Sequence, residues 1–86
     1  DYIPLQIVTP RNGSVFYYDS SLPANVQNLT IEVVGGKKDL LYVETGKKTF
    51  TVSRPFSFKL PLLPGFHTIK ILCGDEECEL YFQCKK

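Results

Sequence analysis

The chain has 86 residues, 43% of them hydrophobic, and a formal net charge of +1, enough for one small domain that buries about 60–65% of its unfolded surface. That balance excludes wholesale disorder and gives no footprint for non-specific nucleic-acid binding. No apolar run reaches the ~18–20 residues that cross a bilayer, and no charged-then-apolar leader opens the chain. A sequence with no methionine, even at position 1, reads as a piece of a longer protein.

Taken in order, the chain alternates with period two and nowhere shows helical periodicity. Ile3, Leu5 and Ile7 alternate with Pro4 and Gln6 in a first strand. Asn12-Gly13 marks a turn, and Val15–Asp19 is a weaker strand candidate holding the consecutive rings Phe16, Tyr17 and Tyr18. In a strand at least one of these rings must point away from the core, where it could anchor a partner or stack on a sugar. The competing reading packs them in a second buried layer. Pro23 with Asn25 breaks the chain before Leu29, Ile31 and Val33, and Gly35-Gly36 breaks it again. Leu40–Thr45 and Thr49–Val52 are further strand candidates around Gly46. Phe56, Phe58 and Leu60 form the next, followed by Pro61 and Pro64-Gly65. Ile69, Ile71 and Cys73, then Cys78, Leu80 and Phe82, form the last two around Gly74-Asp75. Seven or eight short strands at about ten-residue spacing predict an all-β antiparallel sandwich. No internal linker divides it, so residues 1–86 form one domain.

All three cysteines fall in the last fourteen residues. A final hairpin closed at Asp75-Glu76, or by Gly74–Glu77, sets Cys73 opposite Cys78, Ile71 opposite Leu80 and His67 opposite Cys84. Directly opposed Cβ atoms lie roughly 4.5–5.5 Å apart, so a Cys73–Cys78 disulfide is within reach with some strain. Buried thiols packing as small hydrophobes are the alternative. Zinc is disfavoured, because His67 and Cys84 would sit about 20 Å from Cys73 along the hairpin. Cys84, two residues from the chain end, reads as a free thiol, with His67 opposite it as a conceivable base.

Basic pairs stand in turns and at the terminus: Lys37-Lys38, Lys47-Lys48 and Lys85-Lys86. They are solvated turns or contacts to an anionic polymer or headgroup. Asp75, Glu76, Glu77 and Glu79 crowd one tip without the spacing of a calcium loop. Asn12-Gly13-Ser14 and Asn28-Leu29-Thr30 are glycosylation sequons. Gly46-Lys47 fails as a phosphate loop, since Lys48 replaces the hydroxyl residue and Leu41 the first glycine. No nucleophile or metalloprotease motif is found, and His67 is the only histidine. Nothing here predicts catalysis or a cofactor.

Three stretches read together carry a resemblance. They are Ile7-Val8-Thr9-Pro10-Arg11-Asn12-Gly13-Ser14-Val15-Phe16, Leu22-Pro23-Ala24-Asn25-Val26-Gln27-Asn28-Leu29-Thr30-Ile31 and Leu63-Pro64-Gly65-Phe66-His67-Thr68-Ile69-Lys70-Ile71. The chain resembles, from about Ile3 to Cys84, the C-terminal domain of bifunctional penicillin-binding proteins of the C type. The resemblance implies an immunoglobulin-like sandwich of about seven strands. It implies a non-catalytic appendage, outside the cytoplasm, of a membrane-anchored peptidoglycan synthase whose glycosyltransferase and transpeptidase domains lie upstream. The implied partners are peptidoglycan, the parent's transpeptidase domain or another envelope protein, with no nucleic acid and no membrane insertion by this segment. Phe16, Tyr17, Tyr18, Lys37, Lys38, Lys47 and Lys48 are the candidate contact surface. A generic extracellular immunoglobulin-like adhesion module is the alternative, suggested by the sequons and cysteines.

Overall fold

In the computed structural model, which describes residues 3–46 and 48–86, the alternating segments form eight strands. They are β1 (Gln6–Thr9), β2 (Ser14–Tyr17), β3 (Asn28–Val34), β4 (Leu40–Glu44), β5 (Thr49–Ser53), β6 (Ser57–Pro61), β7 (Gly65–Cys73) and β8 (Glu76–Lys85). A 3-10 turn, Ala24–Val26, precedes β3. The strands make two sheets, β1-β3-β6 and β2-β8-β7-β4-β5. The result is an immunoglobulin-like sandwich.

Both sheets turn their apolar positions inward. Ile31 of β3, Leu41 and Val43 of β4, Ile71 of β7 and Leu80 of β8 are all at or near zero exposure, with Phe56, Leu60, Ile69 and Phe82 around them. Alternation matches the pleat, so one face of each strand is dry while the other stays wet.

Every strand pair is antiparallel except β2 with β8. That parallel pair exists because the N-terminal segment changes sheets. The β1 register slips between Ile7 and Thr9, and Pro10, with no N–H to offer, follows. The Tyr81 N–H then donates to Asn12 Oδ1 at 2.9 Å, and the Gly13 N–H donates to the Tyr81 carbonyl at 2.8 Å. These two bonds launch β2 along β8.

The turn between β3 and β4 is tied down by Arg54. Its Nη2 faces the carbonyls of Gly35, Gly36 and Lys38 at 3.1, 3.0 and 2.8 Å, and Nε donates to Asp39 at 3.2 Å. The guanidinium also lies 4.4 Å from the centroid of the Phe56 ring, a cation–π contact. Gly36 sits in this turn at φ +88°, where a Cβ would come within 2.7 Å of Cys73 Sγ. Only glycine suits that position.

The final hairpin differs from the expected one. Its loop is Gly74-Asp75, with Gly74 at φ +61° and Asp75 on the negative side, the pattern of a type II′ turn. The register is therefore two residues away from that expected: Cys73 faces Glu76, Ile71 faces Cys78, Ile69 faces Leu80 and His67 faces Phe82.

Candidate interaction surface

This register decides the cysteines. Cys73 and Cys78 share the inner face but are diagonal neighbours rather than opposed, and all three thiols are free. The Cys73–Cys78 disulfide expected from direct opposition is thus not formed. Diagonal pairs lie about 7–8 Å apart, beyond disulfide reach. The thiols have separate partners: Cys78 Sγ donates to the Leu5 carbonyl at 3.2 Å, and Cys73 Sγ to the Lys38 carbonyl at 3.5 Å. Burial pushes the Cys84 thiol up. Burial first, then Glu76 and Glu77, does the same for Cys78. A raised pKa keeps a thiol protonated and slow as a nucleophile. Cys84 is buried opposite Gly65, not opposite His67. His67 Nε2 is within 2.7 Å of the Leu63 carbonyl, and the ring stacks on Phe82.

The polar clusters are dispersed. Glu76 Oε2 accepts the Leu5 N–H at 3.0 Å, and Glu77 pairs with Lys70 at 2.8 Å, which raises the lysine's pKa. Lys37 and Lys38 precede β4 while Lys48 precedes β5, so the antiparallel pair holds them at opposite ends. They do not merge into one basic patch, and Lys47 lies outside the described residues. Among the described residues no group of His, Cys, Asp and Glu is arranged to hold a metal ion. No helix there is long and apolar enough to cross a membrane.

The run of three rings divides by strand parity. Phe16 points inward and meets Phe82 edge-on, with centroids 5.8 Å apart; the expectation that it could touch a partner is corrected by that packing. Tyr18 is half-buried, and its N–H donates to the Lys85 carbonyl at 2.6 Å. Tyr17 alone faces solvent, 70% exposed.

Tyr17 does not stand by itself. Outward positions of β2, β8 and β7 bring Val15, Tyr81 and Phe66 onto the same outer face, with Phe66 83% and Tyr81 56% exposed. Val15 and Phe66 flank Gln83 in one cross-strand row, and Tyr81 pairs with Thr68 in the next. At ~4.8 Å between strands, Val15 and Phe66 stand roughly 10 Å apart, on either side of the β8 backbone. Phe66 and Tyr81 border a shallow depression of about 240 Å³ lined also by Gly13, Val15, His67, Thr68, Phe82 and Gln83. None of the eight is an acid, a lysine or an arginine, while Lys85 stands beside Tyr17 on the same outer face. The surface offers ring faces for apolar contact, with amide and hydroxyl groups beside them.

Phe66 and Tyr81 are absent from the surface expected from sequence. Their signal was phase: each is a large ring set against the Ile69-Ile71-Cys73 and Cys78-Leu80-Phe82 alternation. Comparison with known protein families, with curated proteins and with solved structures finds no match to this chain.

Proposed function

We propose that this chain is a non-catalytic accessory domain of a bifunctional peptidoglycan synthase, acting outside the cytoplasm, and that the outer face around Phe66 contacts the glycan of the cell wall. The resemblance of residues 7–16, 22–31 and 63–71 supplies the setting. The observation that carries the contact is the exposure of three large rings on one outer sheet face, two of them, Phe66 and Tyr81, beside a depression with no acid, lysine or arginine in its lining. A pyranose presents a face of C–H groups to an aromatic ring and a rim of hydroxyls to hydrogen-bonding neighbours. Phe66, Tyr17 and Tyr81 supply the former, and Gln83 and Thr68 the latter. Large exposed rings grouped on one face are surface features that ask for a partner.

The test is co-sedimentation of this chain with purified peptidoglycan sacculi across a salt series. The reading expects retention that survives moderate salt and falls when Phe66 or Tyr17 is replaced by alanine. Retention lost by physiological salt would assign the contact to the lysines and an anionic polymer instead. Absence of retention would overturn glycan contact and favour a protein partner for the face, such as the parent's transpeptidase domain.

A further inference from the structure

We infer that the open edge of β5 is a peptide-docking site, which takes an extended segment with acidic flanks as a further strand of the larger sheet. It lies on the flank opposite the rings around Phe66 and does not depend on the cell-wall reading.

The four sheet edges are not equally protected. β1 is broken by the slip between Ile7 and Thr9, and β6 carries Lys59 and ends at Pro61. β2 has only four residues. Bulges, lysines, prolines and shortness are the usual devices that stop an edge from pairing. β5 reads Thr-Phe-Thr-Val-Ser, with no bulge, lysine or proline inside it, and its register with β4 runs unbroken from Leu40↔Ser53 to Glu44↔Thr49.

The backbone phase of this edge follows from one bond. The Thr45 N–H donates to the Lys48 carbonyl at 2.9 Å, making 45 and 48 a hydrogen-bonded pair. Such pairs alternate along an antiparallel ladder, so Phe50 and Val52 turn their backbone groups to β4. Those of Thr49, Thr51 and Ser53 face the open side. Strand addition uses this kind of row, with alternate side chains supplying specificity.

The side chains indicate what the added strand needs. Phe50 and Val52 are half-buried at the seam between the sheets, and Phe50 meets Phe58 of β6 edge-on, with centroids 5.7 Å apart. Apolar residues at alternate positions of an incoming strand would continue that seam. Cations bracket the edge. Lys48 stands at its start, with Nζ 5.7 Å from the Phe50 centroid. Arg54 follows Ser53 and holds the Lys38 backbone at the other end, with Asp39 as its ion-pair partner. A second copy of this chain would bring a second set of these cations to the strand pair. An acidic-flanked segment is the complementary occupant.

The experiment titrates the isotope-labelled chain with a synthetic peptide of alternating valine and threonine flanked by glutamates, and with its lysine-flanked counterpart. Amide shifts should centre on Thr49, Thr51 and Ser53, those amides should exchange more slowly, and the lysine-flanked peptide should bind more weakly. Thr51→Pro removes an outward donor without touching a β4 bond, and should weaken binding by about 2–10-fold. Lys48→Glu keeps the backbone and should shift preference toward the lysine-flanked peptide. The inference is overturned by no binding, by equal binding of both peptides, or by shifts centred on Val15, Phe66 and Tyr81. It is also overturned if the β5 amides shift with protein concentration alone, which would assign the edge to a second copy.

Discussion

On the β2 flank of the five-stranded sheet the solvent-facing side chains include Val15, Tyr17, Phe66 and Tyr81; on the β5 flank they include Thr49, Thr51 and Ser53 of the edge strand, with Leu40 and Tyr42 of β4 beside them. Their inner sides are alike. Each flank sends one phenylalanine inward to an edge-on ring contact, Phe16 with Phe82 and Phe50 with Phe58, at nearly equal separations. The fold therefore asks the same thing of both flanks and gets it. What differs is outward, where folding makes no such demand: three large exposed rings across β2, β7 and β8 on one side, and on the other an open edge strand of small hydroxyls with the one ring of Tyr42 behind it. Polar residues would satisfy the outer face of β2 and β8 as they do that of β5. The contact proposed above would account for the larger set of rings.

The largest effect should come from the centre that both flanks share. Ile71 is fully buried on β7, between Val43 of β4 and Cys78 of β8. Ile71→Ala should cost about 2–5 kcal/mol and Ile71→Val about 0.5–1.5, read from denaturation midpoints at unchanged slope. Both flanks should lose amide protection together. Loss confined to one flank would show that the flanks are stabilised separately, and the comparison between them would then need two reference states.

A smaller and one-sided effect is expected at Arg54. Its guanidinium ties three carbonyls of the turn before β4, but the side chain is partly exposed. Arg54→Ala should cost about 1–2 kcal/mol, less than fully buried charged hydrogen bonds would imply. Faster amide exchange should appear beside β5 and not beside β2. Arg54→Lys should rescue little, since a point charge cannot reproduce the planar fork or the stacking on Phe56. Full rescue by lysine would reduce the clamp to simple charge pairing with Asp39.

Much of this arrangement was legible in the residues, and the exceptions have physical causes. Leu29, Ile31 and Val33, or Ile69, Ile71 and Cys73, announce strands because burial on one face leaves a period of two. The same period hid the register of β7 and β8. A slip of two residues keeps every side chain on its face, so the apolar pattern fits Cys73 opposite Cys78 as well as Cys73 opposite Glu76. The turn decides between them: Gly74 at the first central position closes a two-residue loop. Tyr17 was recoverable from parity within a run of three rings. Phe66 and Tyr81 belong to one surface only because β7 pairs with β8 in this register, a relation that distance along the chain does not show.

The smallest predicted effect is the sharpest test of the contrast. Phe66 is 83% exposed, so removing its ring takes little apolar area out of a buried environment, and surface changes of this kind stay within about ±0.5 kcal/mol. Phe66→Ala should leave the denaturation midpoint nearly unmoved while it lowers retention on sacculi. A destabilisation above about 1.5 kcal/mol would mean that the ring packs on the sheet as a core residue does. The two flanks would then differ in how they fold, and the outward rings would no longer call for a partner. An unmoved midpoint with lost retention leaves contact as the one role for Phe66, because a group that contributes nothing to folding cannot lower binding by loosening the fold.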